Sequence, residues 1–280
     1  MKEVNHFRRV TLWWLVVSIP ATLIVVLVLA PGMPPGNGTN QAAGQVIDNT
    51  VLFGIATPVT VAVLVVFTYS LITFRERTPQ VAAEGPALRG HAGIQLWWIV
   101  VTTGLVLFLA AYGSIRMLED GAGGGQGPNP IAPIKAPPGQ RTLRVQVVAQ
   151  QWQFTYRFPQ YGGVEVPNIE LPAHSTIQFN VTSLDVIHSW WAYQLGVKAD
   201  ANPGVNNVAY VQTRGPLTFD VHCAELCGVW HGYMFGVGHV VSKARFAAWI
   251  AAKQKQFAPS LKKLGPYSKT YFPQPLRRGG

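Results

Sequence analysis

A short stretch near residue 230 gathers four side chains that can bind a soft metal ion. Both cysteines of the chain, Cys223 and Cys227, are followed by His231 and Met234, so four donors fall within 12 residues. Thiolate and imidazole with a weak thioether form the donor set of copper electron-transfer sites. The pattern predicts a copper site, and two cysteines on one loop could each bridge two copper ions.

A bridged pair of copper ions needs a second imidazole from elsewhere in the chain. His188, in the run DVIHSWW, is the best placed candidate. Two other interpretations of the same residues stay open. In an oxidising compartment Cys223 and Cys227 could form a disulfide. Alternatively, both cysteines with His188 and His231 could bind zinc.

At this point the sequence resembles a known family. The spacing Cys-x-Glu-x-Cys-x-x-x-His-x-x-Met resembles the binuclear copper (CuA) site of cytochrome c oxidase subunit II. The upstream run DVIHSW, the aromatic run QWQFTY at residues 151–156 and the run LGVKADANPG at residues 195–204 resemble segments of the same family. The matches extend from Trp97 to His239. In this order they identify the chain as a member of that family.

The resemblance implies a role for each residue of the site. Cys223 and Cys227 would be the thiolate bridges between two copper ions. The remaining implied ligands are His188 and Met234 on one ion, and His231 with the main-chain carbonyl of Glu225 on the other. The carboxylate of Glu225 would hold Mg²⁺ or Mn²⁺ at the boundary with subunit I, since such ions prefer oxygen ligands.

Two further residues acquire roles from the same resemblance. Trp152 would be the aromatic residue through which cytochrome c hands over its electron, although Phe154 stands where the family usually has a second tryptophan. Asp185 would either anchor the loop of His188 by a hydrogen bond or form part of a docking surface.

The function implied is that of an electron-entry subunit of an oxidoreductase and proton translocase. Electrons from cytochrome c would pass to haem in subunit I, where oxygen is reduced to water. Subunit III is a further expected partner. Two alternatives stay open, namely the equivalent subunit of a nitric oxide reductase and a membrane-tethered copper carrier with one exchangeable ion.

The composition favours a membrane protein. Hydrophobic residues make up 49% of the chain and charged residues 12%, roughly half the usual share in soluble domains. The net charge of +10 could suggest nucleic acid. We expect no such partner, because the basic residues form no run with interleaved aromatics. Three uncharged stretches, at about 11–30, 52–74 and 96–112, are long enough to span a bilayer.

The positions of the arginines predict the orientation of these spans. Arg8 and Arg9 precede the first stretch, and Arg75, Arg77 and Arg89 lie between the second and the third. Lys and Arg favour the cytoplasmic side. We therefore expect a multi-pass protein of a bacterial-type cell membrane, with the copper domain on the outer, periplasmic or extracellular face. The first stretch could also be a cleaved signal peptide, but its length favours a retained anchor.

The predicted domains are a transmembrane anchor over residues 1–120, a Gly/Pro linker over 121–138, a copper domain over 139–258 and a basic tail over 259–280. Residues 31–50 read as another connector. Apolar residues alternate within the copper domain, which predicts a β-sandwich or Greek-key barrel. The resemblance implies a cupredoxin fold. Ser242 is expected to cap a C-terminal helix that ends near Phe257.

The charge of the C-terminal half departs from the family. Residues 117–280 hold 15 Lys and Arg against 8 Asp and Glu, a net charge of +7. The family commonly binds a basic cytochrome c on an acidic face. Like charges oppose association, so this sequence favours an acidic or membrane-tethered electron donor.

Overall fold

The structure is a computed structural model that describes residues 4–75 and 90–263. Within these residues the chain divides into two compact units. The first contains Met1–Gly32 and Asp48–Ile115, and the second contains Met33–Ile47 and everything from Arg116 onward. The second unit is therefore assembled from two stretches that are far apart in sequence.

Three long apolar helices make up most of the first unit. They are α1 (His6–Ile24), α2 (Asn40–Thr73) and α3 (Ala92–Asp120). All three are long and apolar enough to cross a bilayer. The indole N–H of Trp14 donates to the carbonyl of Pro58 at 2.8 Å, so α1 and α2 are joined by a polar contact beside a helix-breaking proline.

Two helices are longer than the uncharged stretches that predict them. α2 begins at Asn40 rather than near residue 52, because the hydroxyl of Thr39 accepts the N–H of Ala42 at 2.9 Å and caps the helix. α3 continues past residue 112 to Asp120. Hydropathy marks only the apolar part of a helix, so polar ends are missed. Residues 76–89 lie outside the described part of the chain, and with them Arg77 and Arg89.

The second unit is a sandwich of two five-stranded sheets. The strands are β1 (Leu143–Gln150), β2 (Gln153–Phe158), β3 (Val164–Val166), β4 (Glu170–Pro172), β5 (Thr176–Ser183), β6 (His188–Ala192), β7 (Val197–Ala201), β8 (Asn207–Gln212), β9 (Leu217–Cys223) and β10 (Phe235–Val241). The sheet orders are β3-β2-β1-β5-β8 and β4-β10-β9-β6-β7. Alternate apolar residues of both sheets, among them Phe179, Trp190 and Phe219, form the core. The predicted fold class is confirmed.

The first predicted connector is a packed part of the sandwich instead. Within residues 31–50, Thr39 is fully buried and its hydroxyl donates to the carbonyl of Leu195 at 2.7 Å. The side-chain amide of Gln45 donates to the carbonyl of Gly196 at 2.6 Å. The glycines and prolines of this segment suggest a free loop, but its polar side chains find partners 150 or so residues later in the chain.

The start of the predicted linker over residues 121–138 is also packed. The N–H of Gly125 donates to the carbonyl of Lys198 at 3.0 Å, at the edge of β7. A Cβ on Gly123 would overlap the carbonyl of Gly196. Glycine is needed here because two backbones approach closely, whereas the sequence pattern alone suggests flexibility.

The C-terminal helix α4 (Lys243–Lys263) begins as predicted, with Ser242 as its cap. It extends beyond the predicted end near Phe257, because Phe257 and Leu261, one turn later, both pack against the sandwich core. Residues 259–263 of the predicted tail are therefore helical, and the rest of the tail lies outside the described residues.

We predict that Gly196→Ala destabilises the sandwich. Gly196 has φ +63°, and a Cβ would lie 2.7 Å from the Cα of Ala42. The backbone conformation alone costs about 1–3 kcal/mol for a residue other than glycine, and the contact adds to it. Denaturant unfolding of the detergent-solubilised chain, followed by tryptophan fluorescence, measures the loss. Gly215→Ala, where a Cβ meets nothing within 4 Å, is the control. Equal unfolding midpoints for the two variants would contradict the prediction.

Candidate metal centre

The sulfurs of the two cysteines lie 3.8 Å apart. Cys223 is the last residue of β9, and Cys227 follows in the loop before β10. Both side chains are buried and neither forms a disulfide, in which the sulfurs would be about 2.05 Å apart. Two free thiols therefore share one small space at the end of the second sheet.

Each sulfur has an imidazole nitrogen beside it. His188 begins β6, which pairs with β9 so that Trp190 lies opposite Cys223. The Nδ1 of His188 is 3.9 Å from the sulfur of Cys223. The Nδ1 of His231 is 3.6 Å from the sulfur of Cys227. Donor atoms of His188 and both cysteines lie within 4.8 Å of one another.

Two weaker donors lie next to the sulfurs. The Sδ of Met234 is 3.8 Å from the sulfur of Cys227, and the main-chain carbonyl oxygen of Glu225 is 3.2 Å from the sulfur of Cys223. Met234 is buried, whereas the side chain of Glu225 is exposed. The structure thus brings together donors from all six residues that the sequence selects. Which donor serves which ion stays a prediction.

The shape of the ligand loop is fixed largely by its own backbone. The N–H of Cys223 donates to the carbonyl of Met234 at 3.0 Å, and the N–H of His231 donates to the carbonyl of Gly228 at 3.0 Å. Gly228 has φ +116°, and a Cβ there would lie 3.1 Å from the side-chain amide of Gln151. A residue with a side chain is therefore disfavoured at this turn.

The ring of His188 is held from its far side by Asp185. Its Nε2 lies 2.9 Å from Oδ1 of the carboxylate, which leaves Nδ1 facing the sulfurs. Burial acts to raise the pKa of Asp185. Hydrogen bonds from the N–H of Gln151, the ring of His188 and the N–H of Val186 outweigh burial and hold that pKa below its usual value. The charged carboxylate therefore fixes the orientation of the ring.

The turn between β1 and β2 contacts both loops that carry ligands. The N–H of Gln151 donates to Oδ2 of Asp185 at 2.7 Å, and its side-chain amide donates to the carbonyl of Cys227 at 2.9 Å. The indole N–H of Trp152 donates to the same carbonyl at 3.2 Å. Trp152 is partly buried. This indole is thus one hydrogen bond away from a cysteine of the site.

The core behind the site is aromatic. The ring of Phe154 lies 6.4 Å from that of His188 in an edge-on arrangement. The indole of Trp190 packs 4.6 Å from Phe179 and donates to the hydroxyl of Tyr156 at 3.2 Å. Burial raises the pKa of Tyr156 well above its usual value. This packed wall keeps water from the core side of the sulfurs.

Comparison with known proteins agrees with the composition of this site. Residues 164–241 match the family model described as cytochrome C oxidase subunit II, periplasmic domain. The chain is 28% identical over 243 residues to a probable cytochrome c oxidase subunit 2 of Rickettsia bellii, covering 79% of this chain and 83% of that protein. The chain belongs to the cytochrome c oxidase subunit II family.

Other members of the cytochrome c oxidase subunit II family match shorter parts of the chain. A probable cytochrome c oxidase subunit 2 of Rickettsia prowazekii is 30% identical over 183 residues, which span 58% of this chain and 54% of that protein. The crystal structure of the periplasmic domain of subunit II of cytochrome oxidase of Bradyrhizobium japonicum is 28% identical. It covers 44% of this chain and 98% of that domain, with a TM-score of 0.41.

The donor set of this subunit II family member fits copper. Thiols, imidazoles and a thioether are ligands that copper prefers. A four-coordinate zinc site on the cysteines and histidines would leave the buried thioether of Met234 unused. Burial, with the neighbouring Cys223 and the charge of Asp185, raises the pKa of Cys227 to about 12. A metal ion that binds this thiol must therefore displace its proton.

The sequence predicts only some of the hydrogen bonds that hold the ligand residues in place. The predicted hydrogen bond between Asp185 and the loop of His188 is confirmed. The role of Gln151 is missed. Its two hydrogen bonds form between a turn of one sheet and loops of the other. No motif in the sequence indicates these contacts.

Proposed function

We propose that this chain is the electron-entry subunit of a cytochrome c oxidase. It accepts electrons from cytochrome c at a binuclear copper centre and passes them to haem in subunit I, where oxygen is reduced to water with proton translocation. One observation carries the proposal. The free sulfurs of Cys223 and Cys227 lie 3.8 Å apart, and each has an imidazole nitrogen beside it. Two adjacent sulfurs with separate imidazoles favour two metal ions over one.

The residues of the chain supply a rigid ligand set. A binuclear copper centre, when bound, takes up and gives back one electron with little geometric change. Cys223 and Cys227 would bridge the two ions. The other ligands of the two ions would be His188, His231, Met234 and the carbonyl of Glu225. The orientation of the His188 ring is set by Asp185 before any metal binds.

Trp152 is the proposed point of electron entry. Its indole N–H donates to the carbonyl of Cys227, which provides a short path from a partly exposed ring to a ligand residue. Two loops flank it, and their exposed apolar side chains are Leu184, Val186, Ile187, Leu226 and Val229. An apolar collar of this kind suits the rim of a haem protein, because its burial on docking is favourable.

We place α1, α2 and α3 across a bacterial cell membrane as a multi-pass anchor, with the sandwich on the periplasmic side. Arg8 and Arg9 lie in the first turn of α1 and Arg75 follows α2, while residues 31–51 contain no Lys or Arg. Subunits I and III of the oxidase are the proposed partners within the bilayer. The exposed carboxylate of Glu225 is available to Mg²⁺ or Mn²⁺ at the boundary with subunit I.

Within the described residues, the excess positive charge of the second unit lies in α4, away from the site. Residues 139–242 hold 5 Lys and Arg and 6 Asp and Glu, whereas residues 243–263, which form α4, hold 6 Lys and Arg and no acid. The side chain of Gln254 in α4 donates to the carbonyl of Tyr161, just beyond the far end of β2. β2 separates that end from Trp152 by about 17 Å. The charge thus gives only weak support to an acidic or tethered donor.

The copper content and spin state of the purified chain test the proposal. We expect two copper ions per chain and a seven-line electron spin resonance pattern at low temperature, from one electron shared by two nuclei. His231→Asn should abolish the pattern, because it removes the imidazole beside Cys227. His222→Asn is the control, since His222 is exposed on the outer face of β9. One copper per chain without the seven lines would favour a copper carrier instead.

The identity of the terminal acceptor is tested on the assembled complex. Reduction of oxygen supports an oxidase. Reduction of nitric oxide with the same spin resonance pattern would favour the nitric oxide reductase alternative.

The role of Trp152 is tested by Trp152→Phe. Loss of the indole N–H removes the contact with Cys227, so electron uptake from reduced cytochrome c should slow by at least about 10-fold, equivalent to about 1.4 kcal/mol in the barrier. Trp230→Phe is the control, because Trp230 is an exposed tryptophan of the loop that carries Cys227. Rapid-mixing kinetics with the copper signal held constant gives the comparison. Equal slowing by both substitutions would contradict a special role for Trp152.

The apolar collar predicts a weak dependence on salt. Turnover with a basic and with an acidic soluble cytochrome c should change between low and high ionic strength by less than the roughly 10-fold minimum of electrostatically steered pairs. A strong low-salt preference for the acidic cytochrome would instead restore the expectation drawn from net charge.

A further inference from the structure

We infer that Gln151 is a positioning residue that ties together the two loops carrying the metal ligands. This inference rests on the proposed copper site, but it concerns a residue that donates nothing to the metal. Gln151 lies in the turn between β1 and β2, which belong to the first sheet. His188 and Cys223 lie on β6 and β9 of the second sheet. Gln151 therefore connects the two sheets at the end of the sandwich where the site lies.

One hydrogen bond of Gln151 leads to His188. Its backbone N–H donates to Oδ2 of Asp185 at 2.7 Å, and Oδ1 of the same carboxylate lies 2.9 Å from Nε2 of the His188 ring. A hydrogen bond to a charged carboxylate is roughly twice as strong as one between neutral groups. The carboxylate cannot turn about its axis without lengthening one of these two bonds. The position of Gln151 therefore limits the orientation of the ring.

The other hydrogen bond of Gln151 leads to Cys227. Its side-chain amide donates to the carbonyl of Cys227 at 2.9 Å, and the carbonyl accepts the indole of Trp152 as well. The sulfur and the carbonyl belong to the same residue, so a shift of the backbone at Cys227 moves the sulfur. Gln151 thus restrains both a histidine and a cysteine of the site from a single position.

The exposure of Gln151 suggests a competing role, contact with an electron donor. The two roles differ in what a substitution changes. A residue that only contacts the donor alters donor binding and leaves the metal site as it was. A positioning residue alters metal affinity and loop mobility in the isolated chain, because outer residues of metal sites commonly change affinity by about 10–100-fold.

The test compares Gln151→Leu with Gln153→Leu in the detergent-solubilised full chain. Leucine has a similar size but lacks the amide. Gln153 is exposed in the same hairpin and pairs with Gln150 across the turn. We expect Gln151→Leu to lower copper affinity about 10-fold and to change the spacing of the copper hyperfine lines. We expect Gln153→Leu to leave both as in the unsubstituted chain.

Hydrogen exchange of the metal-free chain supplies a second measurement. Gln151→Leu removes the side-chain hydrogen bond to Cys227 but keeps the backbone N–H that bonds Asp185. Amides of residues 226–231 should therefore exchange faster, while those of β5 and β8 should keep their rates. Unchanged exchange and affinity in Gln151→Leu would overturn the inference, as would a uniform acceleration across both sheets, which indicates general destabilisation. A chain that binds no copper defeats the proposed function alone, since faster exchange at residues 226–231 still supports the positioning role.

Discussion

The antiparallel pairing of β6 with β9 is the contact on which the candidate metal centre depends. His188 and Cys223 are 35 residues apart in the chain, and the register that sets Trp190 opposite Cys223 brings their donors into one space. Side chains alternate across a strand, so a slip of one residue would turn His188 to the outer face of the sheet. The buried indole of Trp190 opposes such a slip, because it packs against Phe179 and bonds to the hydroxyl of Tyr156.

Backbone hydrogen bonds and outer polar contacts together hold the ligands of the site in place. The ladder of β9 and β10 fixes Cys223 relative to Met234, and Asp185 fixes the ring of His188. A site for electron transfer benefits from ligands that stay in place when charge changes, since any rearrangement adds to the barrier. The buried donors and the exposed apolar loops therefore serve different needs within the same few residues. In the proposed function, the donors give rigidity, and the loops give a surface for contact with the electron donor.

The sequence can indicate a cluster of candidate donors because their chemistry and spacing are local. Cys223, Cys227, His231 and Met234 lie in one loop, and only His188 has to be chosen from elsewhere in the chain. The strands follow from apolar alternation, and the three helices follow from long uncharged stretches. The contacts of Gln151 could not be predicted, because they form between a turn of one sheet and loops of the other.

The errors of the sequence-based description have a common physical origin. Glycine-rich segments at residues 31–50 and 121–127 suggest flexible connectors, yet Gly123 and Gly125 allow backbones to approach closely. Net charge suggests an evenly basic domain, yet 6 of the 11 Lys and Arg in residues 139–263 belong to α4. The end of α4 is missed because Leu261 gains its stability from the core rather than from local propensity. In each case the sequence gives the composition of a segment but not where that segment lies in the fold.

The buried position of Thr39 has a consequence for the order of assembly. Its partner, the carbonyl of Leu195, is made 156 residues later, so the early segment leaves the ribosome long before the groove that receives it exists. Closing so long a loop is slow compared with local contacts. The docking of the Thr39 segment therefore has to wait until the turn at Leu195 has formed, and until the segment docks that turn stays open to solvent.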